Sequence, residues 1–266
     1  MILPQPVLVD FEHVGLSFGQ EIALSDVSFQ VRRSETKVLL GESGAGKSVV
    51  LKLALGLLLP DNGSVEVLGE RVSALPEQEL FELRRRIGMV FQESALFDSL
   101  SVRENVAYRL EEEGRLDPVA IEARVRACLD AVEMEEAIDK MPAELSGGMQ
   151  RRVSIARALA TEPEVMLYDS PTGGLDPVTA TNIMEQIIKL RDVKRVTALL
   201  VTHRLQDGFL LATHRWDPAR NTLCPEPVQD GTTSFLVLHQ HRVLFDGGAE
   251  EMLHSPEPYL REFLRH

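Results

Sequence analysis

The chain has 266 residues, 44% of them hydrophobic, a formal net charge of −13 at pH 7, and two cysteines, Cys128 and Cys224. That size suits one large or two small domains. No run of eighteen apolar residues is present to span a membrane, and the acidic balance argues against a nucleic-acid partner, whose phosphates call for concentrated Lys and Arg. Two cysteines far apart in sequence make neither a disulfide framework nor a zinc site, which fits a cytoplasmic compartment.

The N-terminal run Met1-Ile2-Leu3-Pro4-Gln5-Pro6 has no basic region and no long apolar core, so it does not read as a signal peptide. Residues 7–31 alternate strand-like stretches with turns, as in Val27-Ser28-Phe29-Gln30-Val31. Lys37-Val38-Leu39-Leu40 reads as a buried strand, followed by Gly41-Glu42-Ser43-Gly44-Ala45-Gly46-Lys47-Ser48 and then the apolar helix of Leu51, Leu53, Ala54 and Leu55. This is G-x-x-x-x-G-K-[ST] in the strand–loop–helix setting that makes it a phosphate-binding loop. Gly41, Gly44 and Gly46 let the backbone curl so that successive N–H groups of the loop, Ser43 and Ala45 included, face one anion. The helix adds its positive end. Lys47 is expected to reach the β/γ-phosphates of a nucleotide, and the Ser48 hydroxyl to bind Mg²⁺.

Asp61-Asn62-Gly63-Ser64 reads as a turn into the strand Val65–Gly69, Pro76 to Arg86 has helical spacing, and Ile87 to Phe91 reads as a strand. From about Glu93 to Gln150 the pattern is mostly helical with Glu/Arg-rich faces, and Asp117-Pro118 reads as an N-cap followed by Pro at the first helical position. Gly147 to Ala160 reads as a further helix. The basic clusters Arg84-Arg85-Arg86 and Arg151-Arg152 read as solvated helix faces or subunit contacts. Val165-Met166-Leu167-Tyr168 and Ala198-Leu199-Leu200-Val201 are all-apolar runs suited to central parallel strands. Trp216 to Gly231 is rich in Pro and polar residues, and residues 214–232 read as an inserted surface loop whose Trp216 is either a partner anchor or the loop's own packing residue. The sheet resumes at Ser234-Phe235-Leu236-Val237-Leu238.

Further motifs stand in fixed order along residues 7–264. Leu145-Ser146-Gly147-Gly148-Met149-Gln150 resembles the signature motif of ATP-binding-cassette proteins. Val165 to Asp169 resembles their Walker B strand, Gly174-Leu175-Asp176-Pro177 their D-loop, and Val201-Thr202-His203 their switch loop. Gln92 stands at the Q-loop position and Phe18 at the A-loop position. The resemblance implies an α/β P-loop NTPase core at about 7–92 and 151–266, with an N-terminal antiparallel β subdomain and a helical signature-motif subdomain at about 93–150. It also implies roles: Asp169, Ser48 and Gln92 toward Mg²⁺, His203 on the γ-phosphate, and Asp176 at the dimer seam. Phe18 is either stacked on adenine or core. Ser146, Gly147 and Gly148 would form a second anion site at a helix start, used by the nucleotide of the opposite subunit in a head-to-tail ATP-sandwich dimer.

One position departs from the pattern. Where the family has Asp-Glu-Pro-Thr, this chain has Asp169-Ser170-Pro171-Thr172. A serine hydroxyl cannot accept a proton near pH 7, so the resemblance leaves two readings: a slow ATPase, or an ATP-gated clamp that hardly turns over. A second departure is Ser34, where the family has Gly. The stretch Leu96 to Tyr108 and the tail Ser255 to Leu264 resemble ATPases of Mla-type, MCE-associated phospholipid transporters. That implies integral-membrane permease subunits as partners, an MCE protein and a STAS-domain protein as candidates, no nucleic acid, and a peripheral position on the cytoplasmic face of the inner membrane.

Overall fold

The computed structural model describes residues 5–226 and 232–265. The N-terminal run read for a signal peptide lies mostly outside them.

Two sheets carry the chain. β1 (Val7–Phe18) and β2 (Glu21–Arg32) form a long antiparallel hairpin, and β4 (Asn62–Val67) and β5 (Glu70–Arg71) extend it in the order β2-β1-β4-β5. The second sheet has six strands: β3 (Thr36–Gly41), β6 (Ile87–Val90), β7 (Val165–Asp169), β8 (Thr197–Val201), β11 (Thr233–His239) and β12 (Arg242–Gly247), in the order β12-β11-β3-β8-β7-β6. All its pairs are parallel except β11–β12.

The unbroken apolar runs follow from this arrangement. Val38 and Leu40 of β3, Met166 and Tyr168 of β7, and Phe235 and Val237 of β11 face one core. Leu39, Val165, Leu167, Leu236 and Leu238 face the other. Strict period-two alternation into two buried layers requires an apolar residue at every position. The first core is closed by α3 (Val102–Glu113), α4 (Pro118–Ala131), α5 (Gly147–Leu159), α6 (Pro177–Lys194), α7 (Leu205–Thr213), α8 (Ala249–Leu253) and α9 (Pro258–Phe263). The second lies between the two sheets and takes α1 (Lys47–Ala54) and α2 (Glu77–Arg85).

The helical stretch expected from Glu93 begins at Val102. Ser101 and Glu104 make a full capping box there, with Ser101 N donating to the Glu104 carboxylate at 2.7 Å. Residues 91–100 run without helix or strand. Asp117 caps α4, accepting from Ala120 N at 2.8 Å. At residues 214–225 the expected loop is replaced by an antiparallel hairpin of β9 (His214–Asp217) and β10 (Thr222–Pro225). Pro218 and its polar neighbours form only the turn, where Asp217 Oδ1 accepts from Ala219 N at 2.9 Å. Trp216 is buried against α6, with its backbone N–H donating to Asp192 Oδ2 at 2.8 Å and Lys189 Nζ 4.9 Å from its ring, so it is a packing residue. Residues 227–231 of that reading lie outside the described residues.

Candidate functional site

The parallel strands β3, β7 and β8 end at one edge of their sheet, and the sequence-predicted residues emerge there. β3 ends at Gly41 and α1 starts at Lys47. At Gly46, the N-cap of α1, φ is 97°, and a Cβ would lie 2.4 Å from the Ala23 carbonyl oxygen of β2. At Gly41, φ is 150° and a Cβ would lie 2.5 Å from the Leu238 carbonyl oxygen. Only glycine closes the loop this tightly. Ser43 and Gly44 are exposed on its rim, Ala45 is buried, and Ser48 is exposed on the first turn of α1. Lys47 Nζ folds over the loop, donating to the carbonyls of Gly41 at 2.8 Å and Glu42 at 2.7 Å. Burial pulls the Lys47 ammonium below its ordinary pKa, opposed by the charges of Asp169 and Glu42. The loop is therefore a concave backbone cradle with a cation at its mouth. Phe18 ends β1 opposite Glu21, on the hairpin whose Ala23 abuts Gly46, and is 52% exposed, so it is not a core residue.

Asp169 ends β7 beside Val201 of β8, so Asp169 and the Thr202-His203 pair leave the sheet side by side. His203 is exposed. Ser170 is buried with φ 47° and donates its backbone N–H to the Val201 carbonyl at 2.8 Å. Its hydroxyl lies 3.5 Å from Asp169 Oδ1, a long contact. The turn closes with Gly173 N donating to Ser170 O at 2.9 Å. Gln92 packs on this turn, since a Cβ on Gly173 would lie 3.2 Å from Gln92 Cγ and 3.3 Å from its Nε2. Gln92, Asp169 and Ser170 are thus brought together.

The signature residues form a second group. Ser146 caps α5, its hydroxyl accepting from Met149 N at 3.3 Å, and Gly147 and Gly148 start the helix. A Cβ on Gly148 would lie 2.4 Å from Thr179 Cγ2. Thr179 sits in the first turn of α6, whose N-cap Asp176 accepts from Val178 N and Thr179 N, each at 3.1 Å. The Thr179 side-chain hydrogen bond first, then the backbone N–H groups of Thr179 and Val178, hold the Asp176 carboxyl below its usual range. The Ser146 helix start and the 175–179 segment therefore pack as one surface.

Three groups were given no place in the site by the sequence. Asp207 is buried on α7, and its Oδ2 accepts from Thr172 Oγ1 at 2.5 Å and Thr202 Oγ1 at 2.9 Å, joining the Ser170 turn to the His203 loop. Tyr259 of α9 donates to Glu42 of the phosphate-type loop at 3.0 Å and packs against the His239 ring, tilted by 33°; burial, then Glu42, push its pKa up to about 12. Arg151, expected on a solvated face or at a subunit contact, is instead 3% exposed and donates to backbone carbonyls of the Gln92 and Ser170 segments. The spacing Gly148, Arg151, Ile155, Ala158 on α5 is the signal that could have placed it inside. The Arg84 cluster is also no free face: Arg84 donates to Leu55 O at 2.8 Å and Gly56 O at 3.1 Å.

A family model described as ABC transporter matches residues 24–173. The chain is 36% identical over 265 residues to the chloroplastic protein TRIGALACTOSYLDIACYLGLYCEROL 3 of Arabidopsis thaliana, covering 97% of this chain and 73% of that one. It is 32% identical over 257 residues to the intermembrane phospholipid transport system ATP-binding protein MlaF of Escherichia coli K12, covering 97% and 88%. Among solved structures, a dimeric post-hydrolysis state of the ATP-binding cassette MJ0796 bound to ADP and Pi superposes with a TM-score of 0.74 at 30% identity, covering 91% of this chain and 98% of that one.

Proposed function

The chain belongs to the ABC transporter family, and on that premise we propose that it binds ATP in the Gly41–Ser48 loop and powers a membrane transporter through ATP-driven association of two copies. The observation that carries this is the loop itself: a glycine-walled backbone cradle at a helix start, with the Lys47 ammonium held across its mouth.

The residues divide the work by their chemistry. The loop N–H groups of Ser43, Gly44, Ala45 and Gly46 hold phosphate oxygens, Lys47 neutralises charge between β- and γ-phosphate, and Phe18 offers its exposed ring to the adenine. Ser48, Gln92 and Asp169 are an all-oxygen donor set, the kind that suits Mg²⁺. Among the described residues no cluster of three His, Cys, Asp or Glu is placed to hold a metal alone, so the ion would be shared with the phosphates. When bound, it supplies charge across the phosphate oxygens. His203, exposed just after β8, would contact the γ-phosphate. Ser146, Gly147 and Gly148, with Asp176 beside them, close the site of the opposite copy.

Both curated relatives share nearly the whole chain, and the bacterial one carries phospholipid transport in its name. That supports phospholipid or another hydrophobic cargo, moved by separate permease subunits, with an MCE protein and a STAS-domain protein as further components. No helix of the described residues is long and apolar enough to cross a membrane. A groove of about 400 Å³ lined by Leu57, Phe91, Phe97 and Tyr108 is a fitting seat for a permease segment at the membrane's cytoplasmic face.

A second reading, an ATP-gated clamp with little hydrolysis, is favoured by one observation: Ser170 fills the position from which a carboxylate would polarise water. The binding claim is tested by titrating MgATP into the native chain and Lys47→Ala. The variant is expected to bind at least about tenfold more weakly; equal affinities would remove the loop from the account.

A further inference from the structure

Arg151 projects inward from α5 and meets no carboxylate; the described residues give it no ion pair. Its Nη1 donates to Phe91 O at 3.0 Å and to Ser170 O at 3.3 Å, and its Nη2 donates to Gln92 O. Its Nε is buried without a partner. Farther along the same helix, Arg157 donates to Ser94 O at 3.0 Å and Ala95 O at 2.7 Å. Two arginines of one helix thus hold four carbonyls of residues 91–95, a segment in which Ser94 and Ala95 both take left-handed φ, 63° and 47°. Burial lowers the pKa of Arg151 with nothing opposing it.

A buried guanidinium balanced only by carbonyl dipoles is a costly way to fill a core position, and an apolar side chain of similar volume is often as stable or more so. The retained charge has a geometric consequence. Arg presents its donors in a rigid planar fork that an ammonium lacks. Here the fork spans the segment that carries Gln92 and the turn that carries Ser170, and both are tied to the helix that begins at Ser146. Moving one of the three without the others strands a buried charged donor, which is costly.

We propose that Arg151 is a positioning residue that couples the two nucleotide sites: it fixes Gln92 and Ser170 of one site to the helix whose Ser146–Gly148 end is offered to the other. This rests on the functional reading above.

The test uses the full chain and its Arg151→Gln and Arg151→Lys variants, with ADP affinity, MgATP-driven dimerisation by sedimentation, and amide exchange without nucleotide. Arg151→Gln is expected to bind ADP within about twofold of native. Its ATP-driven dimer is expected to weaken at least about tenfold, the order of one lost charged hydrogen bond. Amides of residues 91–95 and 170–173 are expected to exchange faster while those of β3 and β7 stay protected. Arg151→Lys, which keeps the charge and loses the fork, is expected to lie between. ADP binding and dimerisation falling together in both variants would reduce Arg151 to a folding role and overturn the proposal, as would native dimerisation in Arg151→Gln. If Arg151→Gln does not fold, Arg151→Lys decides, and native dimerisation by it overturns the proposal. A native chain that binds neither nucleotide would instead sink the functional reading.

Discussion

Asp207 carries one carboxylate into the interior and shares a single oxygen between Thr172 and Thr202. Burial raises its pKa; the two threonine hydrogen bonds, Arg204 and His203 pull the other way and do not win. A raised folded-state pKa contributes stability that is fully present below the unfolded pKa and is lost as pH rises through the folded one. In its charged form Asp207 is therefore a net cost to the fold. Asp207→Asn, similar in shape and still able to accept from both threonines, is expected to need more urea to unfold at neutral pH than the native chain. That advantage should shrink as pH falls through the raised pKa toward the ordinary carboxyl range. Urea midpoints along a pH series decide it, and an Asn variant weaker than native at neutral pH would show that the threonine bonds to the charged form dominate. Three serines at left-handed φ, Ser34 at 61°, Ser94 at 63° and Ser170 at 47°, show that positions outside the glycine loop also accept strain. At Ser34 the backbone N–H is secured by Thr197 Oγ1 at 2.9 Å.

At the level of elements, residues 97–101 just before α3 are gathered by one side-chain amide. Asn105, fully buried, accepts from Phe97 N at 2.8 Å through Oδ1, while its Nδ2 is shared among the carbonyls of Phe97 at 3.1 Å, Leu100 at 2.9 Å and Ser101 at 3.0 Å. Asn105→Asp would turn a donor into a buried carboxylate facing three carbonyls. The expected loss is roughly 3 kcal/mol at neutral pH, partly recovered in acid, where the protonated acid can again donate; denaturant unfolding at the two pH values measures it. The elements the sequence made legible were those whose cause is local or repetitive. Apolar runs announce strands buried on both faces, Asp117-Pro118 announces the start of α4, and Gly-x-x-x-x-Gly-Lys-Ser announces a loop that only glycine can close. The β9–β10 hairpin was not legible, because its strands are short and the Pro218 turn hides the burial of Trp216 against α6. Arg151 was not legible either: a run of two arginines looks solvated until the helix phase places one of them inward, and its carbonyl partners come from segments about sixty and twenty residues away.

For the whole molecule, the parallel sheet gathers the phosphate loop, Asp169, Ser170 and His203 at one edge, while the Ser146 helix start and Asp176 form a separate surface. Two such half-sites in one chain are what a head-to-tail pair would complete, and dimer closure on ATP followed by reopening is the motion that would drive a permease. The weak point of that cycle is Ser170, whose hydroxyl contacts Asp169 and cannot take a proton from water near neutral pH. The measurement that tests the account most directly is single-turnover hydrolysis of MgATP by the native chain and by Ser170→Glu, side by side, at saturating protein. The account predicts tight ATP binding by both, slow turnover by the native chain, and a gain of roughly 10²–10⁴-fold on restoring a positioned base. Equal rates in the two proteins would contradict slow turnover at Ser170, show that another group supplies the base, and leave the transport-ATPase reading standing.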